Sequence, residues 1–577
     1  MQNLIKKTWF QISLLGILIF ISYFNILQNG FVWDDTDFII NRQATGEINL
    51  VQFFRGQLPV GHEGVYRPVR TLIYALVYPL FNLNPFLYHL HGIILHIIIS
   101  LSVLKFLTIL TENKFLAYSS SLLFALHPVQ TESVSFATIN FDIYSGLFVI
   151  LTLIFYLNAQ KTGKIRHYCL SLFFATIAQL SGEMALILAP LVIIVHLYKN
   201  FPATRLSGKI TSPYILAYFL ITFLYALLRF VILHIPARGG DMIYRSGILQ
   251  ILFFRVFLRY LSVLFIPLNL NVDYQVVAQK DLLPQLSADS ANLWLTYFNG
   301  YALFSLVLVI ILISLIFRLR KKHSLLSFSI SWFFITLLPF SNLFPARVSV
   351  SERYLYLPSL GWSLAVGYLI NNLKFKKKAV SAFILTAILI LFSIRIFIRN
   401  RDWKNSYSLW SKTVRDSPGS SLARNNLGNA FIEKNEYQNA LASFETALMI
   451  FPGHKNASKN LIVTKSVLLN KQGINYLKTG ETEKASAFFE KSIQTDPGYI
   501  PAYNNLATLF LSRNQSREAK EILEKTIGIT GSDPDLYYNL ASAYRQMKDY
   551  ENARKFYKKA LELNPGFINA KQALENL

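Results

Sequence analysis

The sequence predicts an all-α protein in two parts, a polytopic bundle of about eleven membrane-spanning helices followed by a solenoid of short helical repeats. Composition is the first reason: 53% of the 577 residues are hydrophobic and only 15% are charged, more apolar surface than a water-soluble chain of this length can bury. Charge distribution is the second reason. Residues 1–400 contain 14 acidic and 32 basic side chains, which leaves 18 acidic and 24 basic ones for the shorter stretch 401–577. The first part therefore has the composition of a membrane domain and the second that of a water-soluble one.

The predicted domains are a transmembrane part at residues 1–400, a linker at 401–420 and a repeat domain at 421–577. The net charge of +24 lies mainly in short clusters between apolar segments, which is the pattern of membrane loops, so nucleic acid is not a predicted partner. The single cysteine, Cys169, excludes both a disulfide within the chain and a cysteine metal site.

The membrane crossings are predicted from apolar segments that approach the ~20 residues needed to span the hydrocarbon core. These segments are 9–28, 86–111, 115–127, 139–158, 168–181, 183–199, 213–233, 297–317, 325–344, 357–373 and 379–398. Two more apolar stretches, 69–82 and 247–268, are assigned to the outer leaflet, because counting them as crossings would put lysine-rich loops outside. The N-terminus is then predicted inside and the repeat domain outside.

The cations predicted on the outer side are mainly arginines, whereas almost all lysines of the first part fall inside. A guanidinium group keeps its charge in a desolvated site and binds phosphate or carboxylate through a planar fork. The pattern favours an anionic ligand, such as a lipid phosphate, at the outer surface. The alternative is that these arginines extend toward lipid headgroups and bind nothing specific.

A period of about 34 residues begins at Ser421 and is typical of tetratricopeptide (TPR) repeats. Small and aromatic residues recur at the packing positions of about four helix pairs, and residues 566–577 are predicted to cap the stack. The second unit contains an insertion of 11 residues between Pro452 and Pro497. The recurring residues are Gly428, Ala440, Phe444, Gly473, Ala485, Phe489, Ala507, Ala519, Leu523, Ala541, Ala553 and Tyr557.

Such a stack predicts a concave groove that holds an extended peptide or another protein. Asn426, Asn505 and Asn539 occupy the same position in three repeats, and their amides are the predicted ligands of a peptide backbone. Helix capping or solvation explains the same asparagines equally well.

Asp34 and Asp35 follow the first predicted crossing and are the predicted catalytic residues. Adjacent carboxylates at the membrane surface are costly to ionise, so they tend to pair, bind a cation or do chemistry, and one of them is predicted to act as a general base. An ordinary acidic loop is the alternative. No metal-binding spacing is visible and no cofactor is predicted, although Asp34, Asp35 and Glu132 would suit a divalent ion if the fold brought them together.

Further polar groups are assigned to the same outer side by the loop charges, and this convergence predicts a substrate-binding site. For each of them, helix capping or charge neutralisation is the structural alternative. The predicted substrate-binding residues from these loops are Tyr66, Arg67, His127, Glu132, Glu183, Arg347, Glu352, Arg353 and Tyr354.

These motifs, with the repeats behind them, resemble the family of transmembrane and TPR-containing protein O-mannosyltransferases and its bacterial relatives. The resemblance covers nearly the whole chain and is carried by segments 31–35, 66–68, 84–89, 125–134 and 351–358. It implies a membrane glycosyltransferase fold of the C type, and it adds His89 to the substrate-binding residues. Relatives often have a lysine before the residue matched by Glu183, where this chain has Gly182. That departure implies that an arginine replaces the lysine or that the sugar donor differs.

The resemblance implies transfer of mannose or another hexose from a polyprenyl-phosphate carrier to serine or threonine hydroxyls, with the acceptor held by the TPR groove. One carboxylate of the acidic pair would remove the hydroxyl proton, while Arg67, Arg347 and Arg353 would stabilise the departing phosphate. The alternatives are a ligase for a preassembled lipid-linked glycan and a non-catalytic, membrane-anchored TPR scaffold. Short loops favour a bacterial inner membrane as the location.

Overall fold

The computed structural model describes residues 8–40, 54–55, 66–200, 213–235, 248–274, 300–341, 350–372, 378–530 and 533–577. Within these ranges the regular structure is entirely helical, which confirms the predicted all-α class. The chain divides into two compact units, Met1–Ser420 and Ser421–Leu577.

Most helices of the first unit coincide with the apolar segments found in the sequence, including the two stretches assigned to the outer leaflet. The helices Thr131–Ser135 and Ser406–Asp416 lie outside those segments. The helices of the first unit are α1 Thr8–Tyr23, α2 Pro68–Phe81, α3 Pro85–Thr111, α4 Lys114–Ala125, α5 Thr131–Ser135, α6 Ile143–Thr162, α7 Ile165–Ser181, α8 Leu188–Asn200, α9 Pro213–Ala226, α10 Ile248–Phe265, α11 Gly300–Leu319, α12 Ser324–Leu337, α13 Pro358–Asn372, α14 Lys378–Asp402 and α15 Ser406–Asp416.

Six helical spans among the described residues are long and apolar enough to cross a membrane, judged by length and composition. Three shorter apolar helices accompany them at Pro68–Phe81, Met184–Asn200 and Ser324–Phe340. Large apolar side chains on α11, such as Phe304 and Ile310, face outward, as expected for a bundle whose solvent is lipid. The total of about eleven crossings stays a prediction. The six spans are Thr8–Gln28, Pro85–Thr111, Ile139–Thr162, Tyr214–Ile232, Gly300–Leu319 and Ala379–Asp402.

Helix α3 supports the segments that carry the polar residues described below. A Cβ atom at Gly92 would lie 2.7 Å from the carbonyl oxygen of Val134, so glycine allows α3 to approach the chain around α5 closely. One turn further along α3, the ring nitrogens of His96 lie 2.8 Å from the Tyr356 hydroxyl and 2.9 Å from the Ala125 carbonyl oxygen. These contacts tie α3 to two turns that are distant in sequence.

Two loops that the charge pattern assigns to the inner side meet each other. Lys199, near the end of α8, donates a hydrogen bond of 2.6 Å to the carboxylate of Glu112, which follows α3. The same ammonium group lies within 3.3 Å of the Ile109 carbonyl oxygen, a position at which a cation stabilises a helix C-terminus. The two loops therefore lie at the same end of the bundle.

Residues 401–420, which the sequence analysis treats as a linker, are largely helical and pack within the first unit. Trp403 and Trp410 are buried, the latter on α15. The Asn271 amide donates a hydrogen bond of 2.9 Å to the Ser417 hydroxyl, and the Lys412 ammonium group donates one of 3.0 Å to the Leu270 carbonyl oxygen. The segment is therefore anchored to the chain that follows α10.

The second unit consists of consecutive helix pairs and a final helix, as the repeat period predicts. The small and aromatic residues at the packing positions are buried, among them Ala440, Phe444, Ala485, Phe489 and Tyr557. The helices are α16 Ser421–Glu433, α17 Tyr437–Ile450, α18 Lys455–Lys478, α19 Thr482–Thr495, α20 Ile500–Ser512, α21 Ser516–Thr530, α22 Pro534–Gln546, α23 Tyr550–Leu563 and α24 Ile568–Glu575.

The insertion of the second repeat lengthens one helix. Helix α18 has 24 residues, whereas its counterparts α16, α20 and α22 each have 13. The difference of 11 residues is about three turns of an α-helix, so the added stretch returns the buried face to the same side. Gly473 on α18 consequently meets Phe489 on α19, as Gly428 on α16 meets Phe444 on α17.

Replacing Gly473 by alanine is expected to lower the free energy of unfolding of the repeat domain by about 1–3 kcal/mol, the usual cost of overpacking a tight interior. The added Cβ atom would lie 2.6 Å from the Phe489 ring and 3.2 Å from the Ala485 carbonyl oxygen, so the two helices must separate. Hydrogen–deuterium exchange in the full chain measures the effect as faster exchange across α18 and α19. Gly528→Ala is the control, because its Cβ atom meets nothing within 4 Å. Identical exchange in wild type and Gly473→Ala would contradict the expectation.

Candidate active site

An open cleft in the first unit collects polar side chains from four stretches of the chain. It encloses about 680 Å³ of empty space, part of which is open to solvent. Three guanidinium groups and two carboxylates line it together with hydroxyl and apolar groups. The lining residues are Asp34, Phe38, Arg67, Arg70, Ser133, Thr138, Ile139, Asp142, Ile143, Gly182, Met184, Phe340, Arg353 and Tyr354.

The two adjacent carboxylates of the acidic motif have different surroundings. Asp34 lines the cleft, whereas Asp35 is fully buried behind it. The Asp35 carboxylate accepts hydrogen bonds from the backbone N–H of Thr138 at 2.7 Å, the Thr138 hydroxyl at 2.5 Å and the Val32 backbone N–H at 3.0 Å. Asp35 thus fastens the acidic turn to the segment after α5, and this anchoring places Asp34 at the cleft.

The turn itself depends on Trp33, whose φ angle of 54° lies in the left-handed region. A bulky residue in that region costs roughly 1–3 kcal/mol and needs surrounding structure to hold it there. The indole ring stacks on Phe136 with centroids 5.4 Å apart and meets the edge of Trp410 at 5.1 Å. Aromatic packing therefore offsets the backbone cost and sends Asp34 and Asp35 in different directions.

Burial raises the pKa of Asp35 from its usual value of 3.8 to about 7, although the hydrogen bonds from Thr138 and Val32 favour the ionised form. The negative charge of neighbouring Asp34 adds to the rise. The folded protein consequently holds the Asp35 proton more tightly than the unfolded chain does.

Stability is therefore expected to depend on pH through Asp35. Between the unfolded pKa near 3.8 and the folded value near 7, the folded state binds more protons, so the contribution of Asp35 to stability falls as the pH rises across that interval. Asp35→Asn removes this titration, and the variant's unfolding temperature should fall less steeply than that of wild type between pH 4 and pH 7. Thermal unfolding of both proteins over a pH series measures the difference in slope. Parallel curves for the two proteins would argue against the raised pKa.

Glu132 holds Arg353 in the cleft. Its fully buried carboxylate accepts a hydrogen bond of 2.5 Å from Arg353 Nη1 and one of 3.2 Å from the Arg353 backbone N–H. The Ser351 hydroxyl completes the set at 2.7 Å. The guanidinium carbon also lies 5.9 Å from the Trp33 ring and 5.3 Å from the Tyr354 ring, within cation–π range. Arg353 is thereby held in one position at the cleft.

Arg67 and Arg70 share a second carboxylate, Asp142. Arg67 Nη1 and Arg70 Nε lie 2.6 Å and 2.8 Å from the same oxygen of Asp142. Arg70 also donates a hydrogen bond of 3.2 Å to the Thr138 carbonyl oxygen, which links the pair to the anchor of Asp35. All three charged side chains keep only 10–14% of their surface exposed, so they are largely desolvated but reachable from the cleft.

Glu352 lies next to Arg353 in sequence but points away from the cleft. Its buried carboxylate accepts hydrogen bonds from the Tyr274 hydroxyl at 2.9 Å and from Arg399 Nη2 at 3.2 Å. Glu352 therefore supports the turn that carries Arg353. It does not line the cleft, where the sequence analysis predicted a contact with substrate.

Three other predicted substrate-binding residues do not line the cleft. The His127 ring is bonded to the Leu264 carbonyl oxygen at 2.9 Å and to the Val129 N–H at 3.2 Å, and it packs on Trp362. The Tyr66 hydroxyl donates to the Phe54 carbonyl oxygen at 3.1 Å. His89 is 1% exposed within the helical bundle. The structure thus holds these three side chains outside the cleft lining, and their role in substrate binding stays a prediction.

Two predicted residues fall outside the described part of the chain. Arg347 lies in the range 342–349, and Glu183 begins the short 3₁₀ helix Glu183–Ile187 with its side chain outside the described atoms. Gly182 itself lines the cleft, and a Cβ atom there would lie 4.0 Å from Nε of Arg67. An arginine is therefore present beside the position at which the resemblance implies a lysine.

Four polar residues of the cleft were not predicted from the sequence: Arg70, Ser133, Thr138 and Asp142. Asp142 was detectable, because a carboxylate inside the apolar segment 139–158 is costly unless it has a partner or a function. Arg70 opens the apolar stretch 69–82 and was equally visible. Ser133 lies inside the motif segment 125–134 but was not singled out there, and Thr138 leaves no comparable trace in the sequence. The possible divalent-ion site does not form within the described residues, where Asp34, Asp35 and Glu132 do not come together as ligands.

Two of the three predicted asparagines of the second unit bridge neighbouring repeats. The Asn505 amide donates a hydrogen bond of 2.9 Å to Asn470, and the Asn539 amide donates one of 3.1 Å to Asn504. The side-chain oxygen of Asn426 accepts a hydrogen bond of 3.2 Å from Asn425. Each amide keeps further hydrogen-bonding capacity, so peptide binding at these positions stays a prediction.

The fold and the cleft together define a class of protein: an apolar helical bundle with an acidic and arginine-rich cleft, followed by TPR-type helix pairs. Family models described as tetratricopeptide repeat match residues 394–455, 476–544 and 534–567. A solved structure described as the crystal structure of MamA is 24% identical, covers 26% of this chain and 80% of its own, and has a TM-score of 0.19.

Relatives over most of the chain are named protein O-mannosyl-transferases. TMTC3 of Homo sapiens is 23% identical over 96% of this chain and 68% of its own length. F38B6.6 of Caenorhabditis elegans is 25% identical over 75% of this chain and 62% of its own length. This chain thus spans roughly two thirds of the length of these relatives. The similarity confirms the resemblance to the transmembrane and TPR-containing protein O-mannosyltransferases.

Proposed function

We propose that the protein is a membrane glycosyltransferase that moves a hexose, with mannose as the first candidate, from a polyprenyl-phosphate carrier to serine or threonine hydroxyls of a protein. The observation that carries the proposal is the placement of one carboxylate, Asp34, in a cleft lined by three guanidinium groups. The names of the relatives supply the reaction class and the kind of acceptor.

The reaction is a single displacement at the anomeric carbon of the sugar. Asp34 accepts the proton of the acceptor hydroxyl while the hydroxyl oxygen forms a bond to the anomeric carbon. The bond between that carbon and the phosphate oxygen breaks, and its electron pair leaves with the phosphate. Arg67, Arg70 and Arg353 stabilise the charge that develops on the leaving oxygen. Asp34 then gives up its proton to solvent through the open cleft, which restores the carboxylate for the next transfer.

The arginines are suited to this role because each is held in place before any substrate arrives. Asp142 fixes Arg67 and Arg70, and Glu132 fixes Arg353. Groups that are fixed in advance need no reorganisation as charge develops, and this is the main source of electrostatic catalysis. Arg67 lies beside Gly182 and is the arginine that we propose in place of the lysine of the relatives.

We also propose that the cleft lies at the outer leaflet of a bacterial inner membrane, with the N-terminus in the cytoplasm and the repeats outside. Loop charge supports this orientation, and so does the meeting of Lys199 and Glu112 at one end of the bundle. Reporter fusions after Ile40 and after Leu577 test it, because both should report the extracytoplasmic side. Opposite results for the two fusions would refute this placement.

The repeats are proposed to hold the acceptor protein. A stack of helix pairs leaves one concave surface, and the asparagine amides that bridge its repeats retain capacity to bond a peptide backbone. Deleting 421–577 is therefore expected to raise KM for a protein acceptor and to spare transfer to a short peptide.

Intact-mass analysis of secreted and envelope proteins, with and without this protein, tests the proposed reaction. Loss of increments of one hexose supports it, and an unchanged mass profile contradicts it. Supplying the purified protein with either a polyprenyl-phosphate mannose or a lipid-linked oligosaccharide then separates transfer of a single sugar from transfer of a preassembled glycan.

A further inference from the structure

Helix α5 contains one buried polar side chain whose hydroxyl has no hydrogen bond in the described part of the chain. Its Thr131 hydroxyl donates to the Pro128 carbonyl oxygen at 2.8 Å, and its Ser135 hydroxyl donates to the side chain of Asn400 at 3.1 Å. Glu132 binds Arg353. Ser133 is just as deeply buried, at 0% exposure, yet its hydroxyl makes no hydrogen bond within the described residues. Ser133 is also the member of this helix that lines the cleft.

A buried hydroxyl without a partner gives up its hydrogen bonds to water and regains none in the protein. Serines in helices commonly avoid this loss by donating to the carbonyl oxygen four residues earlier, as Ser329 does to Leu325 at 2.8 Å. Ser133 does not make that bond, although it lies beside the arginines of the cleft. Because Ser133 lines the cleft, a ligand bound there is the candidate partner for its hydroxyl.

The surrounding charges indicate what that partner is. Arg67, Arg70 and Arg353 line the same cleft, and Arg353 is held by Glu132, the residue next to Ser133. A hydroxyl donor beside guanidinium groups completes a site for a tetrahedral oxyanion, because a phosphate offers several oxygens that accept hydrogen bonds.

We propose that Ser133 is a substrate-binding residue whose hydroxyl donates a hydrogen bond to a phosphate oxygen of the lipid-phosphate substrate. The assignment rests on the proposed function for the identity of the substrate. The same phosphate is present before and after sugar transfer, so the contact strengthens binding of substrate and released carrier alike. An interaction that is equal in the ground and transition states changes KM and leaves kcat unchanged.

The test compares Ser133→Ala with wild type in the purified full-length protein. Loss of a hydrogen bond to a charged group is expected to raise KM for a polyprenyl-phosphate mannose about tenfold, with little change in kcat. The inhibition constant of the sugar-free polyprenyl phosphate should rise by the same factor. Ser100→Ala is the matched control, because Ser100 on α3 is equally buried, likewise makes no hydrogen bond within the described residues, and is not among the residues lining the cleft. It should change neither constant.

Each outcome decides the assignment. An unchanged KM and inhibition constant in a folded Ser133→Ala protein would overturn it. A raised KM with an unchanged inhibition constant would place the hydroxyl against the sugar and overturn the phosphate contact. Should the alanine variant fail to fold, Ser133→Cys keeps the size of the side chain but donates more weakly, and must shift both constants in the same direction.

Failure of the proposed function remains distinguishable from failure of the Ser133 assignment. Binding of farnesyl phosphate to the full-length protein requires no sugar transfer. It is measured as a rise in the thermal unfolding temperature. If wild type binds farnesyl phosphate more tightly than Ser133→Ala does but transfers no hexose, the proposed reaction is wrong and the phosphate contact stands. Equal binding by both proteins refutes the phosphate contact whatever the reaction.

Discussion

Asp34→Asn is expected to lower kcat for hexose transfer by about 10²–10⁴-fold, the usual contribution of a positioned general base. The amide keeps the size of the side chain but cannot accept the proton of the acceptor hydroxyl. Asp34 lines the cleft while Asp35 makes the buried bonds to Thr138, so the substitution should leave folding intact. Rates with a polyprenyl-phosphate mannose and a serine-containing peptide, combined with thermal unfolding, measure both effects.

Two neighbouring aspartates are compared in the same experiment, Asp37 as the control and Asp35 as the residue that holds the turn. Asp37→Asn alters an exposed carboxylate that does not line the cleft, and it should retain wild-type activity. Asp35→Asn should change both activity and the pH dependence of unfolding, because Asp35 holds the turn. Full activity of Asp34→Asn would remove the general base from the mechanism. Equal loss in the Asp37 variant would show that the loop, not one carboxylate, is what matters.

The helices were predictable from the sequence because each depends on a local pattern. Every apolar segment coincides with a helix, and the 34-residue period locates the helix pairs of the second unit. The sequence shows that 11 residues are inserted before Gly473, but not what structure they adopt. They lengthen one helix, because 11 residues complete about three turns. The number of membrane crossings is harder to predict from the sequence. A short apolar helix has the same sequence pattern whether it spans the membrane or packs beside helices that do.

The cleft was only partly predictable, since its membership depends on distant contacts. Asp34 and Asp35 are adjacent and chemically identical, and what separates them is the left-handed turn at Trp33 and the donors of Thr138, about a hundred residues away. The adjacent residues Glu352 and Arg353 also have different surroundings. Arg353 lines the cleft, whereas Glu352 binds Tyr274. Sequence reasoning identifies such pairs as functional candidates, but the direction of each side chain requires the fold.

Arg353→Gln is expected to lower kcat/KM for hexose transfer by about 10²–10³-fold, the effect of removing one fixed group that stabilises developing negative charge. Glutamine retains a hydrogen-bond donor for Glu132 but removes the positive charge from the cleft. Arg353→Lys should recover only part of the activity, because an ammonium group lacks the planar fork that can serve Glu132 and a phosphate at once. Steady-state kinetics at varied lipid-phosphate mannose concentration measure both variants.

The matched control for Arg353 is Arg401→Gln, which removes an exposed guanidinium group that packs on the Phe397 ring and does not line the cleft. Glu132→Gln tests the support of Arg353 separately. It leaves the guanidinium in place but removes its charged anchor, so it should reduce kcat less than Arg353→Gln does while lowering the unfolding temperature more. If Arg353→Gln and Arg401→Gln proved equally active, charge stabilisation at this cleft would be refuted. The lipid phosphate would then have to leave from a different part of the protein.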